Sequence, residues 1–385
     1  MDGKRLIEKI KLRNILSFGD KGEEIELQPL NIIIGQNASG KSNLVDVLKL
    51  LRLLPEDRGL ISFISKNGGI SEWIWKGKRE DNSIQIEVSL SEVIYKLIFK
   101  EISQRIFIED EEIKLSNSEE LTENREKYLK FNEGDSPFKQ ALNPLLNNSI
   151  LSRSTLGVPL LDIIQFYSPL IVAFSNFAIF TDLETNRSSN IRNSQPPDAL
   201  NDFLEEDGSN LALVLNDLEH RGDTKDKIVE NLKKFNPRIK DYSIRILGGT
   251  VQLFIREEGL EKPISAMRLS DGTLRYLCLL AILCHPEPPP LICIEEPETG
   301  LHPDILPTIA ELMKEASQRT QLIVTTHSDI LVSAFSDMPE AVLVCEKDED
   351  GTHFKRLNAE KLKEWLDEYS LGDLWLKGEI GGTRW

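Results

Sequence analysis

Apolar and polar positions change rhythm several times along this chain. Arg5–Phe18 and Glu24–Gln28 alternate and predict strands of an N-terminal antiparallel β-meander. Pro29–Ile34 is apolar almost throughout, the pattern of a strand covered on both faces. From Asn43 the period lengthens: Leu44, Val47, Leu48, Leu51 and Leu54 form a helical stripe. Ser83–Leu90, Val93–Phe99 and Ile106–Leu115 alternate again, as antiparallel strands do. Ser116–Ser136 is polar and acid-rich and predicts a mobile loop. Leu142–Leu151 and Leu160–Phe166 predict helices, Ile191–Pro197 a polar loop, Ala199–His220 a helical segment broken at Gly208, and Lys225–Phe235 another helix. Asp241–Leu247 and Val251–Glu257 flank Gly248-Gly249 as a hairpin.

Beyond the hairpin, Arg268-Leu-Ser-Asp-Gly-Thr273 opens a nearly all-apolar run. The short apolar run Leu291–Ile294 then ends in Glu295-Glu296-Pro-Glu298 and Gly300-Leu-His-Pro303. Ile305, Ile309, Leu312, Met313 and Ala316 mark an amphipathic helix, and Gln321–Thr326 a buried strand that delivers His327-Ser328. A helix starts near Ser328, Ala341–Cys345 is a strand, Glu346–Gly351 an acidic turn, His353–Leu357 its return strand, and Glu360–Glu368 a last helix. No heptad is sustained, which excludes a long coiled-coil arm.

Composition narrows the class. The 385 residues are 40% hydrophobic and 28% charged, as in globular chains. Acids outnumber bases 63 to 46, a formal charge of -17, so a general electrostatic footprint for nucleic acid is absent while a local basic groove stays open. Cys278, Cys284, Cys293 and Cys345 all lie in apolar runs without metal spacing, as buried free thiols of a reducing cytoplasm do. The N-terminus has no signal-peptide pattern, and the apolar runs near Leu170–Phe180 and Leu277–Cys284 are too short to span a bilayer. The expectation is a cytoplasmic protein with no membrane contact.

Two stretches carry chemistry. Gly35-Gln36-Asn37-Ala38-Ser39-Gly40-Lys41-Ser42 follows a strand, opens a helix and matches the P-loop pattern at every fixed position. Gly35 and Gly40 let the backbone curl so that its N–H groups face phosphate oxygens, and the helix N-terminus adds its positive end. Lys41 would reach the β- and γ-phosphates and Ser42 would offer its hydroxyl to Mg²⁺. Glu295 and Glu296 end a buried parallel strand, the place where open α/β sheets bind ligands. Two adjacent carboxylates there call for a cation or a reacting water. His327 alone reads as structural, but its Thr-Thr-His-Ser strand-end context places it at the same edge. His302 reads as a packing residue at a helix start, Phe18 as core although it could stack on adenine, and Trp73/Trp75 as one face packed on a partner or lobe. Glu346, Asp348 and Asp350 recur in the acidic style of Toprim nuclease domains, but too little chain remains for one, and Asp350-Gly351 reads as a hairpin turn.

In this order, the P-loop, Leu269-Ser-Asp-Gly-Thr273, Ile292-Cys-Ile-Glu-Glu296, Gly300-Leu-His-Pro303 and Thr326-His327-Ser328 resemble an ABC-type ATPase head: a Walker A, a signature, a Walker B, a D-loop and a switch histidine. The resemblance is to the RecF/SMC/OLD-like group of soluble AAA family ATPases and extends to the tail through Leu371-Gly-Asp-Leu-Trp375 and Gly381-Gly-Thr-Arg-Trp385; it is good at both ends of the chain and poor in the middle. It implies an α/β P-loop NTPase fold of ABC-ATPase type, with a mixed sheet, an N-terminal antiparallel meander and an inserted α/β lid region. It implies a single head: an N-terminal lobe at 1–59, an inserted region at about 60–250 and a C-terminal lobe at about 251–385.

By the same resemblance, Glu295 takes the magnesium-side position with Ser42, where Asp is usual. Glu296 matches the acid that positions the attacking water, and His327 the residue that senses the γ-phosphate. Ser270, Asp271 and Gly272 match the signature that caps the ATP of an opposite protomer, with Asp271 in a place where Gly is usual and Thr273 where Gln is usual. No Q-loop glutamine stands out between Gln165 and Gln195.

The resemblance thus implies ATP with Mg²⁺, and a homodimer or higher even oligomer. Three outputs compete. One is a DNA-linked ATPase of repair or phage defence, working with a separately encoded nuclease or effector. Another is a nucleotide-dependent interaction scaffold with no DNA role, which the acidic charge favours. The third is a transporter's ATPase subunit, which the spacing of the middle region and the RecF/OLD-like tail disfavour.

Overall fold

The computed structural model describes residues 3–56, 59–91, 93–115, 128–130 and 170–382, arranged on three sheets. An antiparallel sheet runs β2 (Glu23–Glu26), β1 (Ile7–Arg13), β4 (Ser83–Leu90), β5 (Val93–Ile102), β6 (Arg105–Leu115) and β7 (Tyr128–Lys130). Strict alternation buries every second residue of β4, as its sequence requires. A three-stranded antiparallel sheet contains β9 (Ile239–Leu247), β10 (Thr250–Glu257) and β11 (Ile264–Ser265).

The third sheet positions the site. Its order is β15 (Gly351–Arg356), β14 (Val342–Asp348), β3 (Leu30–Gly35), β13 (Gln321–Thr325), β12 (Leu291–Glu295) and β8 (Phe177–Phe180). All neighbours pair in parallel except β15, which returns antiparallel on β14. Every residue of β3 and β13 is buried, because both faces are covered. Leu30, Ile32 and Ile34 of β3 enter one core while Ile33 enters the other; Leu322 and Val324 of β13 are separated from Ile323 in the same way.

The core around Ile33 also takes the antiparallel sheet, α1 (Lys41–Leu53), α2 (Gly59–Lys66) and α3 (Ile70–Trp73). The opposite core takes α4 (Leu211–Leu218), α5 (Thr224–Phe235), α6 (Asp271–Leu283), α7 (Leu306–Ala316), α8 (Asp329–Ser333) and α10 (Leu371–Leu376), while α9 (Ala359–Leu366) is largely exposed and touches its rim through Leu362 and Leu366. α6 is apolar around nearly its whole circumference, and Tyr276–Leu283 is buried without interruption, which makes it the centre of that core. No helix among the described residues is long and apolar enough to cross a membrane.

Several expectations need correction. β1 stops at Arg13 rather than Phe18, because Asn14 and Leu16 take left-handed backbone (φ 55° and 52°) and turn the chain. Phe18 is core, as its sequence context predicts, and stacks on Phe354. Of the two surfaces expected for Trp73 and Trp75, a partner or a lobe, it is the chain's own lobe that covers them: both are buried, and Trp73 meets Phe63 edge-on. Of Ala199–His220 only α4 is helical; the stretch before it is held irregular by Asn210, whose amide binds the carbonyls of Leu200 and Phe203. Ile191–Pro197 is not simply polar: Asn190–Arg192 is a 3-10 turn with Ile191 and Arg192 buried, and Gln195 pairs with Val251. Within the expected loop Ser116–Ser136, Tyr128–Lys130 pairs with β6; the rest of that loop, the helices expected at Leu142–Leu151 and Leu160–Phe166, and Gln165 lie outside the described residues. His302 is exposed, and caps the turn behind it by accepting from the Asp304 N–H rather than by packing.

Candidate active site

β3, β13 and β12 end side by side, so their loops meet at one edge. Register pairs Ile33 with Thr325 and Thr325 with Glu295. From β3 the chain curls through Gly35 (φ 154°), Ala38 (φ 62°) and Gly40 (φ 117°) into α1. Gly40 must be glycine here: a Cβ would lie 2.3 Å from the Thr352 hydroxyl oxygen. That hydroxyl binds the Ser17 hydroxyl at 2.7 Å and the Ser39 carbonyl at 2.6 Å, tying the loop to the β14–β15 hairpin.

The Lys41 ammonium is folded under the loop, donating to the carbonyls of Gly35 (2.9 Å) and Gln36 (2.8 Å). Burial lowers its pKa from 10.5, opposed by Cys345, Glu296 and Glu295. Ser42 lies in the first turn of α1, and its hydroxyl hydrogen-bonds the Glu295 carboxylate. Burial raises the pKa of Glu295 from 4.5; Ser42 and Lys49 act against this, while Asp46 and Glu296 add to it. No group of three His, Cys, Asp or Glu side chains placed to hold a metal occurs among the described residues; the Glu295 carboxylate beside the Ser42 hydroxyl supplies two hard oxygen donors of the kind Mg²⁺ takes, the rest of its shell being left to water and phosphate.

Glu296 leaves the strand with left-handed backbone (φ 44°), a conformation that costs on the order of 1 kcal/mol in a non-glycine residue. Its N–H donates to the Thr325 carbonyl at 2.9 Å, and its carboxylate lies 3.7 Å from the His327 Nε2. Glu298, which has no marked role in the motif pattern, closes this edge. Its Oε1 accepts from the Thr326 hydroxyl and from the His327 N–H, both at 2.7 Å. Its Oε2 is buried without a partner, and burial raises its pKa against those two hydrogen bonds. On the other side of β12, β8 ends at Phe180 opposite Ile294, so Thr181-Asp182 follows beside Glu295. Gln195 lies elsewhere, with its amide turned back onto the Asn190 carbonyl.

The remaining predicted residues sit at the start of α6. Ser270 caps that helix, accepting from the Thr273 N–H at 3.1 Å. Ser270 and Asp271 are exposed, and a Cβ on Gly272 would stand 3.0 Å from the carbonyl oxygen of Gly300, so this segment adjoins the Gly300–Pro303 turn. The tail also reaches the site region: the Gly382 N–H donates to Glu346 at 2.8 Å and its carbonyl accepts from the Trp375 indole at 2.6 Å. A Cβ on Gly382 would lie 3.3 Å from the Cα of Gly35.

A strand–P-loop–helix unit with two acids and a histidine on the adjoining strand ends defines a P-loop ATPase head. The family model described as "AAA domain, putative AbiEii toxin, Type IV TA system" matches residues 30–333, and the chain belongs to that family and is an ATPase. No match to a curated protein was found. Among solved structures, the chain is similar to an Smc head bound to the C-terminal winged-helix domain of ScpA, at 16% identity and TM-score 0.54, covering 93% of this chain and 99% of that one. It is also similar to an Smc head domain with an extended coiled coil bound to the C-terminal domain of ScpA, derived from Pyrococcus furiosus, at 14% identity and TM-score 0.56, covering 94% and 99%. These likenesses show the ABC-type ATPase head fold.

Proposed function

We propose that this chain is an ATP-hydrolysing switch whose heads close in pairs, head to tail, over two nucleotides. The observation that carries the reading is the meeting of Lys41, the Ser42–Glu295 contact and the Glu296–His327 pair on three adjacent strand ends. The amides of Gly35–Gly40, with Lys41 turned outward from its two carbonyls, bind the ATP phosphates. Ser42 and Glu295 would hold Mg²⁺, which neutralises phosphate charge when bound. A water held by Glu296 attacks the γ-phosphorus in line; its bond to phosphorus forms as the bond to the bridging oxygen of ADP breaks, and Glu296 takes the proton. His327 stabilises the charge on the γ-phosphate. Ser270, Asp271 and Gly272 cap the partner protomer's ATP.

The output is a change of shape read by DNA or a protein. The RecF/SMC/OLD-like motif set favours DNA repair or phage defence with a separately encoded nuclease or effector. The Smc heads named above are bound to ScpA, which supports a protein partner for this head too. A toxin of a type IV toxin–antitoxin system is named in the family description, which supports a regulated effector role. The charge of -17 favours the second reading, an interaction scaffold with no DNA contact.

The test is molar mass in solution with ATP. Glu296→Gln should keep ATP bound, slow hydrolysis by roughly 10²-fold or more, and accumulate a dimer. Adding Ser270→Arg should return the monomer mass with ATP still bound. A Glu296→Gln protein whose mass ignores ATP contradicts the reading. A binding-competent, inactive Glu295→Gln beside an active Glu296→Gln would reverse the two acids.

A further inference from the structure

Arg192 is the most fully engaged side chain in the described middle region. Its Nε donates to the carbonyls of Thr185 (3.1 Å) and Asn186 (2.9 Å). Nη1 donates to the carbonyls of Ala266 (3.2 Å) and Leu269 (2.7 Å), and Nη2 to Thr185 (2.8 Å) and to the Asp271 carboxylate. The guanidinium side chain is only 5% exposed, whereas Asp271 is 64% exposed. Burying a cation costs free energy, and an ion pair with an exposed acid returns little of it. The five carbonyl hydrogen bonds offset that cost and fix the guanidinium where it lies. Its fork thereby joins two stretches of chain that no strand pairing links. Thr185-Asn186 belongs to the segment leaving β8, the register neighbour of the strand that ends in Glu295. Ala266–Asp271 is the segment that leads into α6 and carries Ser270. Leu269, whose carbonyl takes the 2.7 Å bond, immediately precedes Ser270. Met267, at 68% exposed, and Arg268 lie on the outer surface of this segment, so packing does not hold it from that side.

We propose that Arg192 is a positioning residue that sets the shape in which Ser270, Asp271 and Gly272 are presented to the partner protomer's nucleotide. The proposal rests on the composite-site reading given above and adds a residue to it. It also accounts for Asp271, a carboxylate beside an expected phosphate: Arg192 takes up its charge and keeps it from facing the nucleotide bare. Only a planar five-donor fork can serve carbonyls of both segments and a carboxylate together, so lysine is no substitute. A defect here acts on the partner's site, since each protomer's signature serves the other's ATP.

Mixed-protomer ATPase assays test this. Arg192→Lys, which keeps the buried charge, and Arg192→Gln should each bind ATP at their own P-loop and lose at least tenfold in turnover. Mixed one to one with Lys41→Ala, either should recover activity, up to roughly a quarter of wild type if half the dimers are mixed and each holds one intact site. Mixed with Ser270→Arg, neither should recover any, because both partners lack a working signature. Asp271→Asn, which leaves the carbonyl contacts in place, should reduce turnover less than Arg192→Lys. The control is Ser270→Arg mixed with Lys41→Ala. Recovery there, with none for Arg192→Lys and Arg192→Gln mixed with Lys41→Ala, overturns the role of Arg192 alone. No recovery in the control overturns the composite site, and this inference with it. Wild-type turnover by Arg192→Lys also overturns the inference.

Discussion

At the scale of single residues, the site depends on polar atoms that only one neighbour can satisfy. Glu298 is the clearest case. One of its oxygens takes both the Thr326 hydroxyl and the His327 N–H, and the same hydroxyl accepts from the Ser328 N–H at 3.0 Å. Glu298→Ala strands two donors at a strand end whose next side chain is the proposed γ-phosphate sensor. A buried donor without a partner costs about 1–3 kcal/mol, so urea unfolding should show a loss of that size. Turnover should fall about tenfold, the scale of a displaced transition-state contact, while ATP affinity stays near that of wild type, because the P-loop is untouched. Glu298→Gln retains an acceptor oxygen and should be milder in both measurements. Equal turnover in Glu298→Ala and wild type would mean that His327 keeps its place without this carboxylate.

At the scale of elements, the β14–β15 hairpin clamps the P-loop to the antiparallel sheet. Thr352 grips Ser17 and Ser39, and Glu23 of β2 accepts from the Phe354 N–H at 2.7 Å and lies 2.9 Å from the His353 Nδ1. Burial pulls the His353 pKa down, but the Glu23 and Asp348 carboxylates outweigh it and hold it above its ordinary 6.5. A raised folded pKa means that His353 contributes its stability in full below that ordinary value and loses it as pH rises through the folded value. Wild-type melting temperature should therefore fall more steeply than that of His353→Asn as pH rises above the ordinary 6.5. Parallel slopes would show that the clamp does not depend on a protonated imidazole. This element was legible in outline: an apolar run, an Asp-Gly turn and a return strand are local signals. β3, β12 and β13 were legible for the same reason, since strands covered on both faces read as nearly unbroken apolar runs, here ending in glycine, acid or histidine. Its grip on the loop was not legible, because Thr352 and Ser17 are 335 residues apart and neither has a distinctive neighbour. β8 was hidden inside the longer apolar run of Leu170–Phe180, where periodicity does not separate helix from strand. Arg192 stood among Ser, Asn and Gln in what reads as a loop, and half of what holds it, the carbonyls of Ala266 and Leu269 and the Asp271 carboxylate, is distant in sequence. Glu298 could have been found, because Glu295-Glu296-Pro-Glu298 places a third acid one turn beyond the pair.

At the scale of the whole molecule, charge sets a test that separates the two proposed outputs. Each protomer carries a formal -17, so bringing two heads together works against mutual repulsion. Salt screens that repulsion over a distance of about 10 Å at 0.1 M, which is shorter than a head. If closure is driven by shared nucleotide rather than by opposite surface charges, raising salt should leave the Glu296→Gln dimer equally tight or tighter. DNA binding has the opposite slope, because each phosphate neutralised by a basic side chain releases counterions, and six or more contacts cost roughly 10³-fold between about 50 and 200 mM salt. Sedimentation of Glu296→Gln with ATP across that salt range, with and without duplex DNA, reads both slopes in one series. A dimer that holds or strengthens while a DNA complex dissolves supports a DNA-reading switch with a local basic groove. A dimer that holds while DNA never binds, even at the lowest salt, supports the interaction scaffold. A dimer that falls apart as salt rises would place complementary charged patches across the interface, and closure would then not be carried by the nucleotide alone.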